Sequence, residues 1–192
     1  MRTFEQLEAR LPMTASVGLD GGTLTITGEN KVESVEVRQI YVDSFRVLGD
    51  VAQRGRYDGV ERLEIALGGR ADVLEIVGAG IPATLPRGVY AAGGAGADVV
   101  QIGGLDMGGP STGPVAQAIL SLDGGGGADE IAVADCTAAR LAANMGTGND
   151  ALALAGCIFS GPVTGEGGEG QDDLDENNNL FGTPPQFTGF ES

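Results

Sequence analysis

Short runs of alternating apolar and polar residues recur through most of this chain. The run Thr23–Thr27 puts Leu24 and Ile26 on one side and is bounded by glycines, which predicts a half-buried β-strand. Later runs each follow a glycine-rich turn and an aspartate, with apolar residues at the second and fourth positions after the aspartate. These apolar pairs are Leu74/Ile76, Val100/Ile102, Ile131/Val133 and Leu152/Leu154. A constant offset with a period of two predicts a stack of parallel strands.

The turns share a nine-residue pattern, G-G-x-G-x-D-x-U-x, in which U is apolar. Copies begin at Gly93, Gly124 and Gly167, and a copy beginning at Met145 departs only at its first position. This nonapeptide resembles the RTX, or haemolysin-type, calcium-binding repeat of secreted bacterial proteins. The resemblance covers roughly residues 60–175. It departs from the family pattern because RTX proteins carry the nonapeptide on both sides of a shorter coil.

The spacing of the aspartates predicts how the turns stack. Successive intervals are 26 residues from Asp72 to Asp98, 31 to Asp129, 21 to Asp150 and 22 to Asp172. The long interval contains an insertion from residue 103 to 114, rich in Gly, Pro, Ser and Thr, which predicts a surface loop. We therefore expect an all-β fold, a right-handed parallel β-helix or β-solenoid with one glycine-rich turn per coil of about 21–26 residues.

A calcium site is the chemistry that these turns suggest. Glycines permit a tight turn that exposes carbonyls, and an aspartate adds a hard anionic oxygen of the kind that Ca²⁺ prefers. The expected carboxylate ligands are Asp98, Asp129, Asp150 and Asp172. The expected carbonyl ligands belong to Gly93, Gly94, Gly96, Gly124, Gly125, Gly127, Gly146, Gly148, Gly167, Gly168 and Gly170. The alternative is that the aspartates only cap turns by bonding to local backbone amides.

Composition narrows the classes of function. The chain has 192 residues and no histidine, which excludes Ser-His-Asp and Cys-His catalysis and His-based zinc sites. Lys31 is the only lysine, and no phosphate-binding loop is present. Paired carboxylates occur throughout the chain and so cannot single out a glycosidase site. We therefore predict that the protein is not an enzyme. A polysaccharide-acting β-helix enzyme is the least favoured of the three hypotheses.

The charge is strongly acidic and uneven. Residues 1–70 carry 9 Lys/Arg and 11 Asp/Glu, whereas residues 71–192 carry only Arg87 and Arg140 against 16 acids, so that −2 and −14 give the net charge of −16. Such a field repels nucleic acid and attracts cations. No segment is apolar and long enough to span a membrane. The expected partners are calcium ions and cell-surface glycans or other surface proteins, not nucleic acid.

The two cysteines occupy the same phase of adjacent repeats. Cys136 lies seven residues after Asp129, and Cys157 lies seven after Asp150. Neighbouring strands are about 4.8 Å apart, within the range of about 4.4–6.8 Å that a disulfide tolerates between Cα atoms. A bridge between them, or a reduced and buried pair of thiols, is expected.

We expect three segments, of which residues 17–160 form the β-solenoid. Residues 1–16 put Phe4, Leu7 and Leu11 on one face of a short helix, as a targeting or capping segment. This segment is similar to the F-E-x-L-E-x-R box of bacterial surface proteins, on Phe4, Glu5, Leu7, Glu8 and Arg10. Residues 161–192 are expected to hold a last acidic turn and a partly disordered tail.

The sequence thus predicts an extracellular or cell-surface protein with a structural or adhesive role. The first hypothesis is that calcium binding orders it. The second is a calcium-independent structural or interaction module of the same shape.

Overall fold

The computed structural model describes residues 15–83, 85–107 and 118–191, and these residues form strands and turns without a helix. Among them, therefore, no helix is present that could cross a membrane. The strands are β1 (Ser16–Asp20), β2 (Thr23–Thr27), β3 (Ser34–Tyr41), β4 (Ser44–Gly49), β5 (Gly55–Tyr57), β6 (Arg62–Gly69), β7 (Val73–Val77), β8 (Val89–Ala95), β9 (Val99–Gly103), β10 (Ile119–Gly126), β11 (Glu130–Ala134), β12 (Thr137–Ala138), β13 (Arg140–Thr147), β14 (Ala151–Ala155), β15 (Ile158–Phe159), β16 (Val163–Glu166), β17 (Asp173–Asn177), β18 (Leu180–Phe181) and β19 (Gln186–Thr188).

The strands are arranged in two large sheets and one small one. The first has eight strands in the order β1-β2-β6-β8-β10-β13-β16-β19, and the second has eight in the order β17-β14-β11-β9-β7-β3-β4-β5. The third has three, in the order β12-β15-β18. Most neighbours are parallel, but β1 pairs with β2, β3 with β4, and β4 with β5 in antiparallel fashion. Consecutive repeats therefore lie side by side, and each contributes one strand to each of the two large sheets.

The glycine-rich turns carry the chain from the first large sheet to the second. Gly94, Gly125 and Gly146 are register partners on β8, β10 and β13, with φ angles of 109°, 103° and 99°. These angles favour glycine. A Cβ on Gly125 would lie 1.9 Å from the carbonyl oxygen of Gly94, so the space between repeats also excludes a side chain. Glycine is required here by both conformation and packing.

The core lies between the sheets and follows the predicted alternation. The second and fourth residues after Asp72, Asp98, Asp129 and Asp150 are all buried, at 0–1% exposure. That prediction is confirmed for these repeats. It fails after Asp172, where Leu174 is half-buried and the polar Glu176 is exposed; β17 lies at the edge of its sheet.

The predicted fold class is wrong. We expected a right-handed parallel β-helix with one glycine-rich turn per coil, but the described residues form two large mixed sheets with mostly parallel strands and no closed solenoid. The all-strand content is as expected. The regular spacing of the glycine turns correctly indicates that successive repeats pair in parallel. It does not indicate that the coil closes, and it does not apply to the N-terminal strands.

The error is clearest near the N-terminus. The glycines at 21 and 22 form a two-residue hairpin turn, since Asp20 pairs with Thr23, and both have positive φ. A second hairpin joins β3 to β4, with Tyr41 opposite Ser44. Its turn contains no glycine, so the pattern of turns gave no sign of it.

The predicted terminal segments and insertion loop fall partly outside the described residues. Residues 1–14, with the predicted helix, and residues 108–117, with most of the predicted insertion loop, lie outside the described residues. Strands β16 to β19 occupy the segment after residue 161, where the sequence predicts a partly disordered tail. These strands continue the pairing of earlier repeats; for example, Leu141 pairs with Val163 and Thr164 with Gln186.

Candidate functional site

A column of buried acidic side chains runs across the repeats, next to the N-terminal ends of strands in the second large sheet. Each aspartate of the turns directly precedes a strand, and those strands are neighbours in the order β17-β14-β11-β9-β7. The carboxylates therefore lie one above another, although the residues are distant in sequence. The members are Asp72, Asp98, Asp129, Asp150 and Asp172, with exposed fractions of 0–3%. We call this set the acid column.

One carboxylate oxygen of each aspartate binds the neighbouring repeat. The backbone N–H of Asp98 donates to Oδ1 of Asp129 at 2.8 Å, and the N–H of Asp129 donates to Oδ1 of Asp150 at 2.8 Å. The same bond joins Asp72 to Asp98 at 2.7 Å and Asp150 to Asp172 at 2.9 Å. The acceptor is thus 21–31 residues away rather than local. Each carboxylate fastens its own turn to the preceding one.

The long insertion does not disturb this register. The bond from Asp98 to Asp129 spans 31 residues yet has the same geometry as the bonds that span 21 or 22. On either side of the turn, Tyr90 pairs with Ser121 and Val99 with Glu130. The acid column therefore keeps the same register across the longest interval as across the shorter ones.

Two glutamates, which the sequence reasoning missed, end the column. At one end the N–H of Glu33 donates to Oδ1 of Asp72 at 2.7 Å, and Glu33 is itself buried at 1% exposure. At the other end Oε2 of Glu191 accepts the N–H of Asp172 at 2.8 Å. Glu33 directly precedes β3, just as each aspartate directly precedes its strand. The sequence signal for Glu33 was an acidic residue directly before a strand. It was missed because the prediction relied on glycine turns, and none precedes Glu33.

The second carboxylate oxygen is buried without a partner. Oδ2 of all five aspartates makes no hydrogen bond among the described residues. A Cβ built on Gly93 would lie 2.5 Å from Oδ2 of Asp98 and 2.9 Å from the carbonyl oxygen of Gly124. The turns of Asp98, Asp129 and Asp172 therefore each hold a small cradle, with one carboxylate oxygen and one carbonyl oxygen beside a glycine.

Burial makes these carboxyl groups harder to ionise. Desolvation raises the pKa of Asp72 and of Asp129 to about 6, and the charges of neighbouring acids add to the effect. Burial also raises the pKa of Asp98 and Asp150. In all four the hydrogen bond from the neighbouring N–H opposes the rise, because it favours the charged form.

The cradles have the donor type for calcium but too few donors. Ca²⁺ takes about six to eight oxygens. One predicted turn carbonyl is already engaged by another repeat, since the oxygen of Gly146 accepts the N–H of Glu169 at 2.9 Å. Within the described ranges, no group of three or more His, Cys, Asp or Glu side chains is placed to hold a metal ion. The acid column points its carboxylates into the protein and not to an ion-binding edge.

The predicted turn glycines occupy equivalent positions. Gly96, Gly127, Gly148 and Gly170 have φ angles of 134–145°, and each would place a Cβ within 2.1 Å of a carbonyl oxygen of the preceding repeat. Gly93, Gly124 and Gly167 line the cradles beside Oδ2 of their own aspartate. Gly94, Gly125, Gly146 and Gly168 have φ angles of 99–109°. Their shared role is close contact between repeats.

Both cysteines are free and buried in the structure. Cys136 and Cys157 directly precede β12 and β15, which pair in parallel, and the N–H of Ile158 donates to the oxygen of Cys136 at 2.8 Å. Burial raises the pKa of Cys136 to about 12, so this thiol is a poor nucleophile. The position seven residues after Asp172 belongs to Asn179, whose Oδ1 accepts the N–H of Cys157 at 3.0 Å. Asn179 was not singled out in the sequence.

Comparison of the chain with protein-family models, curated proteins and solved structures gives no match. The resemblance to RTX repeats therefore stays a prediction from the nonapeptide alone.

Proposed function

We propose that the protein is a non-catalytic structural or interaction module whose repeats are held together without calcium. The acid column is the observation that carries this proposal. Each Oδ1 accepts a backbone N–H of the adjacent repeat at 2.7–2.9 Å, which is normal hydrogen-bond geometry. A carboxylate engaged in this way is part of the framework of the fold.

The energetic role of the column follows from burial. A hydrogen bond to a charged group contributes about 1.5–3 kcal/mol, and leaving the buried amide unpaired costs about 1–3 kcal/mol. Because the bonds link consecutive repeats, they oppose sliding or separation of one turn from the next. The result is a rigid body with long, regular outer sheet faces, which suits a spacer or a surface for interaction.

The proposed setting is the cell surface or the extracellular space. A chain with a net charge of −16 is repelled by nucleic acid and by anionic membranes. Uncharged or cationic surface molecules are not repelled by this negative charge, so they are the partners most compatible with it.

Calcium binding is a second candidate, favoured by one observation. The unpartnered Oδ2 atoms of Asp98, Asp129 and Asp172 are hard oxygens, each in a cradle beside a carbonyl oxygen. An ion there would require further oxygens from a rearranged turn.

Asp129→Asn separates the two candidates. The amide keeps Oδ1 as the acceptor for the N–H of Asp98 and removes the charge that a cation would need. We expect the wild type and this variant to melt at the same temperature in calcium as in chelator, and calorimetry to detect no binding. Asp20→Ala, at an exposed position in β1, is the matched control. A melting temperature that rises with calcium in the wild type and in Asp20→Ala, but not in Asp129→Asn, would overturn the proposal in favour of calcium.

A further inference from the structure

The outer face of the first large sheet holds a polar cleft that the acid column does not use. The cleft has a volume of about 310 Å³ and crosses β8, β10, β13 and β16. Its side chains form two rows, because outward residues of neighbouring parallel strands are register partners. One row is Tyr90, Ser121, Ala142 and Thr164, and the other includes Asp123, Asn144 and Glu166.

The side chains in these rows combine an aromatic ring with hydroxyl, amide and carboxylate groups. Tyr90 presents a half-buried aromatic ring at one end, and Ala142 leaves space in the middle of its row. Hydroxyl, amide and carboxylate groups follow at the separation of neighbouring strands, about 4.8 Å. The Nδ2 of Asn144 donates to Oδ1 of Asp123 at 3.3 Å, which orients both side chains. Burial and the charges of Asp123 and Glu64 raise the pKa of Tyr90, so its O–H remains a donor.

These features select the kind of ligand. The backbone of β10 is paired on both sides, with β8 and β13, so a peptide cannot add to it as a further strand. Any ligand in the cleft must be bound through the outward side chains. Carboxylates at Asp123 and Glu166 repel anionic ligands. A ring with an apolar face and several hydroxyls matches an aromatic platform beside a row of donors and acceptors.

The outer face of the second large sheet provides a comparison. A cleft there crosses β7, β9 and β11, and Gln101 and Ala132 are register partners on its floor. None of its lining residues carries an aromatic ring or a hydroxyl group. It has the same strand geometry without the mixed chemistry.

We propose that the cleft over β8, β10, β13 and β16 binds an uncharged polysaccharide chain, with Tyr90 as the stacking platform. The rows cross three strand intervals, about 14 Å, so the ligand is an oligomer rather than a single sugar. This inference rests on the proposed function as an interaction module and gives that module a class of partner.

Native gel electrophoresis through dextran, galactomannan and xyloglucan tests the proposal, with polygalacturonate as the anionic probe. We expect at least one neutral polysaccharide to retard the full chain, equally in calcium and in chelator, and polygalacturonate to have no effect. Tyr90→Ala should weaken the binding by roughly tenfold, as expected for loss of the aromatic platform. Tyr90→Phe should retain most of it.

Gln101→Ala, at an outward position of the other sheet, is the matched control and should bind like the wild type. Melting curves confirm that each variant is folded. Absence of retardation by all three neutral polysaccharides, or equal retardation of Tyr90→Ala and the wild type, overturns the proposal. Retardation that requires calcium would instead contradict the proposed function, so the two failures are distinguishable.

Discussion

The N-terminal strands β1 to β5 and the repeat strands β6 to β19 build the same kind of apolar core in different ways. The N-terminal strands form hairpins and carry surface ion pairs, such as Arg38 with Glu36 and Arg56 with Asp58. The repeat strands pair in parallel and are joined by glycine turns and the acid column. Hairpins hold neighbouring strands through a short local connection. Parallel repeats have no such connection, so bonds between repeats must hold them.

This difference indicates which positions should be most sensitive to substitution. An exposed hairpin residue contacts solvent on one side and tolerates change. A turn residue of the repeats touches the repeat before it and the repeat after it. The two regions should therefore respond unequally to the same substitution.

A glycine substitution should give the largest difference. Gly125→Ala puts a Cβ 1.9 Å from the oxygen of Gly94 at a φ of 103°, so we expect a loss of about 3 kcal/mol or more. Gly55→Ala, in β5, meets nothing within 4 Å and has no positive φ, so its stability should stay near that of the wild type. Chemical denaturation measures both. Equal losses would erase the proposed contrast between the regions.

Loss of one acid should come next in size. Asp129→Ala leaves the buried N–H of Asp98 without its acceptor and should cost about 1–3 kcal/mol. Glu36→Ala removes a surface ion pair with Arg38 and should cost at most about 1 kcal/mol. The free energy of unfolding of the two variants tests this order. A larger loss in Glu36→Ala would show that the acid column contributes less than surface charge.

The pH dependence should follow the acid column. The folded-state pKa of Asp72 and Asp129 is about 6, above the ordinary value of 3.8, and that of Asp98 and Asp150 is also raised. The folded state thus holds protons that the unfolded state releases, so this contribution is complete below pH 3.8 and is lost as pH rises through about 6. Melting temperatures should fall across that window, and less steeply in Asp129→Asn. A rise in melting temperature with pH in the wild type, or an identical slope in the variant, would contradict this account.

The smallest effect is expected at the end of the column. Glu191→Ala removes the acceptor of the Asp172 N–H, but Glu191 is exposed and water can replace it. We expect faster hydrogen exchange at Asp172 and little change at Asp98. Unchanged exchange at Asp172 would mean that Glu191 does not cap the column.

Sequence reasoning succeeded where the signal was local and repeated. The alternation after each aspartate predicted buried pairs such as Ile131 and Val133, and the constant offset predicted parallel pairing of the repeats. The turn glycines were located from the tight turn that they permit, which agrees with the positive φ of Gly94, Gly125 and Gly146, but their close contact with the preceding repeat was not predicted. The hairpin from β3 to β4 was missed because the turn between Tyr41 and Ser44 has no glycine, and the glycines at 21 and 22 were interpreted only as the boundary of a strand.

The direction of the aspartate side chains could not be derived from spacing. A carboxylate beside a glycine turn can meet either a cation outside or a backbone amide inside, and both arrangements give the same sequence pattern. The choice depends on whether an N–H of the preceding repeat lies within reach, which is a property of the stacked repeats. Glu33 and Glu191 were missed for the related reason that neither follows a glycine turn of the repeated kind.

Hydrogen exchange at the amides of Asp72, Asp98, Asp129 and Asp150 tests the central claim most directly. Each of these N–H groups donates to a carboxylate of the next repeat. If the acid column joins the repeats by itself, these amides will be protected to the same degree in chelator and in calcium. If they exchange rapidly in chelator and become protected only when calcium is added, the cation and not the carboxylate–amide bond holds the repeats together, and the account is wrong.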